Sequence, residues 1–224
     1  MSKENEIKKI KKLESTVDVR FEHIKTFSFL NGMLPNYLTN ELNNYIDKNG
    51  EVNPDDAVTK GVYNLLKSSC RTFLSLYNDR LLLSTGANDV GFENLPIDIS
   101  DVVIHNFKKN EHDLLKSNKI DLEKSISCSI LLYLKIPDIP SKDESLKKVG
   151  GYTHFQWGIN NQIDEIYLKP RQHKKFIPRL GEFMVFPSWV NYSFIPFNCD
   201  GTLRVLSSNL KVNFTTIVKW VLYD

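Results

Sequence analysis

The side chains of this chain that could do acid–base or metal chemistry are few and widely spaced. Its five histidines include His105, His112 and His154, and none follows His173. His112 and Asp113 are adjacent, so from a single strand they point to opposite faces and cannot bind one metal ion together. His154 has no carboxylate or second histidine at ligand spacing, which favours a hydrogen-bonded core or surface histidine. The sequence still allows one metal-binding arrangement, a non-standard site that combines His105 or His112 with Asp113.

Other catalytic patterns are missing from the sequence. Cys70, Cys128 and Cys199 are scattered and lack the spacing of a zinc site. An odd number of thiols in a chain of this size fits a reducing compartment better than a disulfide framework. The chain also has no glycine-rich phosphate loop and no nucleophile elbow. Candidate functional residues therefore have to be identified from their positions on the predicted strands.

The most informative stretch is residues 181–209, which read GEFMVFPSWVNYSFIPFNCDGTLRVLSSN. An apolar strand ends at Pro187, and a second strand over 192–197 leads into Asn198-Cys199-Asp200-Gly201. That tetrapeptide has the composition of a turn. A third strand begins at Arg204, so the local pattern predicts a β-hairpin.

This stretch, together with LLYLKIP (131–137) and GGYTHF (150–155), resembles the C-terminal half of the Fe(II)/2-oxoglutarate dioxygenases. The resemblance is to the short forms common in marine bacteriophage genomes, and it covers roughly residues 101–214. It implies a double-stranded β-helix, or jelly-roll, domain. In that family Gly-Glu-Phe-x-x-Phe-Pro-Ser-Trp is followed within a few residues by the last iron-binding histidine. An arginine on the next strand holds the far carboxylate of 2-oxoglutarate.

The resemblance places this chain's residues at the family's iron positions. Tyr192 stands where the last histidine is expected, and Lys116-Ser117-Asn118 stands where the family has His-x-Asp or His-x-His. A facial triad needs two histidines and one carboxylate with open coordination positions. An amine has no lone pair to give when protonated, and an amide and a phenol are poor substitutes. We therefore expect the standard iron site to be absent, leaving a vestigial pocket at Lys116, Asn118 and Tyr192.

Two further residues of this vestigial pocket have alternative interpretations. Arg204 holds the position that anchors 2-oxoglutarate in the family, and a guanidinium grips a carboxylate with two hydrogen bonds. It could equally form an internal ion pair. Tyr133 lies where a tyrosine often reaches the co-substrate in related enzymes, and it could instead be a core tyrosine.

The elements that would position these residues follow from periodicity. Residues 17–29 alternate as one or two strands. Pro35 can begin a helix, with Thr39 as N-cap candidate, that stops before Asn49-Gly50. A second, long helix is predicted over 57–83, and a loop over 84–100. From residue 101 about eight short strands are separated by turns, and the basic run 171–175 is read as a solvated strand connection or a partner contact.

This pattern predicts an α+β, mostly β fold: a double-stranded β-helix (jelly-roll) core with a supporting N-terminal helical lobe. We expect residues 1–16 to form a basic N-terminal arm, residues 17–100 the N-terminal strands and supporting helices, and residues 101–224 the jelly-roll core. The last two segments are expected to form a single integrated domain. The length of 224 residues is sufficient for one medium domain.

Composition and charge limit the classes of partner that the chain is expected to bind. A net charge of +2 is close to neutral and gives no electrostatic argument for nucleic acid or membranes. No apolar run is long enough to span a membrane, and no signal-peptide segment lies near Met1, so we expect a soluble chain that is not secreted. Lysine outnumbers arginine 23 to 6, a bias typical of AT-rich coding in a phage or a low-GC bacterium.

The sequence therefore predicts a non-catalytic, dioxygenase-like jelly-roll that acts as a structural or binding module. The resemblance to phage proteins favours a virion component of the neck, tail or capsid, located in the virion or host cytoplasm. Its partners would be other virion proteins or further copies of itself, and it would need no cofactor. The alternative is an active oxygenase that uses Fe(II) and 2-oxoglutarate to hydroxylate a protein or small molecule.

Overall fold

The computed structural model describes residues 19–24, 27–81, 96–111, 125–138, 150–157 and 172–213. Within these residues lie nine strands and two helices. The strands are β1 (Val19–Ile24), β2 (Phe27–Met33), β3 (Ile97–Phe107), β4 (Ser125–Lys135), β5 (Thr153–Trp157), β6 (Gln172–Phe176), β7 (Glu182–Pro187), β8 (Asn191–Phe194) and β9 (Leu203–Asn213). The helices are α1 (Asn36–Asn49) and α2 (Ala57–Leu81).

Helix α1 is amphipathic, and it begins and ends at residues with the expected backbone geometry. Leu38, Leu42 and Ile46 recur every four residues and are buried. Gly50 adopts the left-handed conformation, and its N–H donates to the Ile46 carbonyl at 2.8 Å, which closes the last turn. The N-cap prediction was wrong: Pro35 occupies that position, and Thr39 lies inside the helix with its hydroxyl on the Pro35 carbonyl.

Helix α2 confirms the predicted long helix. Asp56 caps its N-terminus, since Oδ1 accepts hydrogen bonds from the Val58 N–H at 2.9 Å and the Thr59 N–H at 3.5 Å. Its buried face carries Val62, Leu66 and Phe73, among others, and packs with α1 against the larger sheet.

The strands form two antiparallel sheets. The larger sheet has the order β1-β2-β7-β4-β9-β3, and the smaller has the order β6-β5-β8. Along the chain from β3 onward, β3, β4, β7 and β9 belong to the larger sheet, while β5, β6 and β8 belong to the smaller one. The chain thus passes repeatedly between two facing sheets, which is the jelly-roll architecture that the sequence predicted.

Side chains alternate between the two faces of the larger sheet, so each face contributes to a different apolar layer. On β7, Phe183 and Val185 face the helices, whereas Met184 and Phe186 face the smaller sheet. The layer between the sheets is rich in aromatic side chains, and its members are Phe29, Leu131, Tyr133, Phe155, Trp157, Met184, Phe186, Val190, Tyr192, Phe194, Phe197, Leu203 and Val205. We call this layer the jelly-roll interior.

Several predicted elements differ from those observed. The hairpin prediction was wrong, because β8 pairs with β5 in the smaller sheet while β9 pairs with β3 and β4 in the larger. Gly201 does adopt a positive φ of 108°, as its place in a turn requires. The turn nevertheless connects the two sheets rather than adjacent strands of one sheet. The sequence divides residues 203–213 between two predicted strands, one over 203–209 and one from 210, but they form a single strand, β9. Residues 97–100 belong to β3 rather than to a loop, and residues 172–176 form β6.

The two apolar layers and the pairing of β2 with β7 tie the N-terminal strands and both helices to the larger sheet. In the part of the chain that the structure describes, no helix is both long and apolar enough to cross a membrane.

Candidate functional site

Tyr192, the residue at the expected iron-histidine position, is part of the aromatic core. Its strand β8 pairs with β5 so that Tyr192 lies opposite Phe155, and both rings face the jelly-roll interior. The ring is 3% exposed and meets Phe186 and Phe194 edge-on, with centroids 5.8 and 5.7 Å apart. Such edge-to-face contacts are favourable for aromatic pairs. Tyr192 therefore has a packing role that accounts for its burial.

Tyr133 also lies in the jelly-roll interior, fully buried on β4. Its hydroxyl and that of Thr153 form a hydrogen bond of 2.6 Å, and its ring stacks on Phe176 with centroids 5.9 Å apart. Burial raises the pKa of the Tyr133 phenol far above its ordinary value. The phenol therefore stays protonated at physiological pH and acts as a neutral hydrogen-bonding group.

Arg204 points to the opposite side of β9 from the interior. Its neighbour Val205 faces the interior, while Arg204 reaches helix α1 and strand β3. Nη2 lies 2.7 Å from Oδ1 of Asp47, Nη1 donates to Oδ1 of Asn43 at 3.2 Å, and Nε donates to Oδ1 of Asn106 at 2.7 Å. All three guanidinium nitrogens therefore have partners within the protein.

A second cation shares the Asp47 carboxylate. Lys135 Nζ lies 2.8 and 3.0 Å from the two Asp47 oxygens. Hydrogen bonds from Lys135, then from Arg204, hold the pKa of Asp47 below its ordinary value. Asn43 strengthens the same junction, because its amide donates to the Leu134 carbonyl while its oxygen accepts from Arg204. This cluster joins α1 to β4 and β9.

Lys116, Asn118, His112 and Asp113 lie outside the described residues. The vestigial pocket was predicted at five positions, of which the structure describes three. It brings Tyr133 and Tyr192 together in the jelly-roll interior and separates Arg204 from both.

His105 lies on β3, on the interior side of the larger sheet. Its Nε2 is 2.8 Å from the Ser207 hydroxyl, and its ring contacts Phe107 and Phe194 with centroids 5.9 and 5.7 Å apart. From the sequence, His105 is considered only as a candidate ligand beside Asp113, which lies outside the described residues. The signal that could have placed it was the alternation in residues 102–107, which puts His105 on the same face as Phe107.

The donors of the described interior do not fit a ferrous site. They include the phenols of Tyr133 and Tyr192, the Thr153 hydroxyl that is hydrogen-bonded to Tyr133, and the His105 imidazole, which is already close to the Ser207 hydroxyl. No group of three or more histidine, cysteine or acidic side chains that could hold a metal ion occurs among the described residues. A facial triad requires two imidazoles and a carboxylate facing one point. The described part of the chain does not supply them.

His154 faces away from the interior, on the outer side of the smaller sheet. The sequence has no second histidine at ligand spacing along this strand, and it favours a core or surface histidine here. Pairing of β5 with β6 brings the His173 ring to a centroid distance of 5.3 Å. Nothing in the local sequence signals this pair, because the two residues belong to strands joined through a connection of 14 residues, 158–171, that lies outside the described residues.

No protein-family model and no curated sequence matches the chain. Among solved structures, it is similar to a prolyl-4-hydroxylase from Pseudomonas putida, at 15% identity over 83% of this chain and 87% of that one, with a TM-score of 0.48. It is also similar to HygX from Streptomyces hygroscopicus, solved with nickel and 2-oxoglutarate bound, at 12% identity over 81% of each chain (TM-score 0.46).

A third similar structure is SnoK, a non-heme alpha-ketoglutarate-dependent carbocyclase from nogalamycin biosynthesis. The identity is 10% over 83% of this chain and 79% of that one, with a TM-score of 0.49. Identities this low leave the role of each residue in this chain to be argued from its own contacts.

Proposed function

We propose that this protein is a non-catalytic jelly-roll that acts as a structural or binding module. The observation that carries the proposal is the packing of Tyr192, whose ring fills the jelly-roll interior between Phe186 and Phe194. A histidine at this position would have to point a nitrogen at a metal ion. The phenol ring instead contributes to a closely packed aromatic layer, which stabilises the two facing sheets.

The partners of Arg204 support the same proposal. A co-substrate carboxylate between the sheets would need a cation that faces it. Arg204 is 8% exposed, lies on the helix-facing side of β9 and is paired with Asp47. On β9 the interior positions nearest to it are Leu203 and Val205, which are apolar. The guanidinium thus stabilises the contact between α1 and the larger sheet.

We further propose that the module is a component of a phage particle, in its neck, tail or capsid. This assignment is supported by the resemblance of residues 101–214 to phage-encoded forms and by the frequent use of jelly-rolls in viral architecture. The partners would be other virion proteins or additional copies of this chain. Mass spectrometry of purified particles tests it: the protein is expected at a fixed copy number per particle, and its absence from intact particles would refute the assignment.

The alternative is an active oxygenase, which hydroxylates a protein or small-molecule substrate with Fe(II) and 2-oxoglutarate. The observation that favours it is the buried polar pair Tyr133–Thr153, which lies between the sheets where the resemblance implies co-substrate contacts. A turnover assay separates the two proposals. Purified protein with Fe(II), 2-oxoglutarate and oxygen should form no succinate above a protein-free control. Succinate formation that His112→Gln abolishes would establish the alternative.

A further inference from the structure

The outer face of the smaller sheet carries a polar cluster that the proposed function does not use. Because Phe155 and Phe176 face the interior, the residues beside them on β5 and β6 face outward. These outward residues include His154 and Gln156 on β5, with His173 on β6. The strand register pairs Gln156 with His173, so His154 and His173 are diagonal neighbours.

The two imidazoles are spaced as ligands of one ion would be. Their centroids are 5.3 Å apart, and their planes are inclined at 77°. A zinc–nitrogen bond is about 2.1 Å long and ligand angles are near tetrahedral, which places the centroids of two coordinating rings roughly 5 Å apart. The observed separation of the two centroids is close to this value.

His154 has a ring nitrogen that none of the described side chains or backbone groups hydrogen-bonds. Its Nε2 is buried and has no hydrogen-bond partner among the described residues. An unsatisfied buried polar atom is uncommon, and it is destabilising unless something binds it. Its other nitrogen, Nδ1, lies 3.3 Å from Nε2 of the Gln156 side-chain amide, which donates to it. Turning that amide by 180° exchanges its nitrogen and oxygen, so that Nδ1–H donates to the amide oxygen and Nε2 of His154 presents a lone pair to a metal ion.

The environment of His154 favours its neutral ring. Burial, the neighbouring His173 and the nearby Lys175 lower the pKa of His154. The Lys175 ammonium itself lies over the Tyr152 ring, 4.8 Å from its centroid. Its positive charge opposes the binding of a cation to the two rings.

We infer that His154 and His173 together bind one divalent transition-metal ion of the zinc or copper type, with Gln156 orienting the His154 ring. Imidazole nitrogens suit these ions, and water completes the coordination. The site lies on the sheet's outer face and is separate from the jelly-roll interior. It therefore stands independently of the proposed particle role.

Titration of Zn²⁺ into untagged, chelator-stripped protein, in competition with a chromophoric zinc indicator, tests the inference. One equivalent of Zn²⁺ should bind per chain. Gln156→Leu should weaken binding about tenfold because it removes the orienting amide, and H154Q and H173Q should weaken it further. K175Q should tighten it by removing a like charge. H173Q changes an exposed ring, so it gives the same answer if H154Q does not fold.

His105→Gln is the matched control, since it removes an imidazole from the other side of the fold and should leave the affinity unchanged. Zinc affinity that survives both H154Q and H173Q would overturn the inference. So would a loss of binding in His105→Gln as large as that in H173Q, because it would show adventitious binding to histidines in general.

Discussion

At the scale of single residues, the same side chains that the family resemblance singles out have structural partners in this chain. Tyr133 hydrogen-bonds to Thr153, Tyr192 packs on aromatic rings, and Arg204 pairs with Asp47. The sequence was enough to single out each of these residues as a candidate. It did not predict the residues that they contact, because every partner lies on a different strand or helix.

The Tyr133–Thr153 bond gives a prediction at this scale. Tyr133→Phe leaves the Thr153 hydroxyl buried without its partner, so the free energy of unfolding should fall by about 1–2 kcal/mol. Thr153→Val should cost a similar amount. Urea denaturation of both single variants and the double variant measures the coupling, and the double variant should cost less than the sum of the two. Strictly additive losses would show that the two hydroxyls do not depend on each other.

At the scale of elements, the cluster of Arg204, Asp47 and Asn43 fixes α1 on the sheet. Arg204→Met removes three donor contacts and leaves the Asn43 oxygen buried, so it should lower the free energy of unfolding by about 2–3 kcal/mol. Asp47→Asn keeps an acceptor oxygen on a half-exposed side chain, and it should cost about 1 kcal/mol or less. Equal losses from the two variants would contradict this ranking.

Asp47 also makes stability depend on pH. Its pKa in the folded protein is lowered, so its contribution is fully present above the pKa of the unfolded chain and is lost as pH falls through the folded value. Denaturation between neutral and acidic pH should therefore show a smaller acid-induced loss of stability in Asp47→Asn than in the wild type. High salt should reduce the difference, because this carboxylate is partly exposed to solvent.

The GGYTHF segment has a structural explanation at the element scale. Gly150 and Gly151 both have positive φ, of 75° and 78°, and Gly150 bridges to Phe197 just after β8. A Cβ added at Gly150 would overlap the carbonyl oxygen of Pro196. The two glycines therefore allow the backbone just before β5 to lie close to the backbone that follows β8.

Two glycine variants separate backbone strain from this close approach. Gly50 has a similar φ of 78° but nothing within 4 Å of an added Cβ. Gly50→Ala should therefore cost only the left-handed strain, about 1 kcal/mol. Gly150→Ala adds a backbone clash and should cost at least about 3 kcal/mol, measured by thermal or urea unfolding. The same small loss in both variants would show that the contact with Pro196 is not rigid.

At the scale of the whole molecule, the two facing sheets leave a core whose described centre is aromatic and apolar. A non-catalytic module should not be stabilised by the family's ligands. We expect 2-oxoglutarate, added with Fe(II) and without oxygen, to raise Tm no further than Fe(II) alone does, because Fe(II) alone could bind at His154 and His173. Saturating binding at a hundred times Kd would raise Tm by roughly 5–10 °C for a domain of this size. A rise of that order would contradict the non-catalytic proposal, and an active 2-oxoglutarate oxygenase serves as the positive control.

The sequence by itself determined the fold class, both helices and most strands, because these depend on short-range periodicity. The spacing of Val62, Leu66 and Cys70 is enough to specify a helix, and alternation is enough to specify a strand. Asp56 and Gly50 likewise act within a few residues of their own positions. For the same reason, the turn at Gly201 was recognised from its composition.

Only the tertiary structure decided which strands pair and which face each functional candidate occupies. The hairpin prediction failed because turn chemistry fixes a reversal of direction but not the sheet that the next strand joins. The side to which Arg204 points depends on the register of β9 against β3 and β4, and a shift of one residue would reverse it. The meeting of His154 and His173 depends on β5 pairing with β6. Such contacts join residues that are far apart in the chain, and local sequence patterns do not predict them.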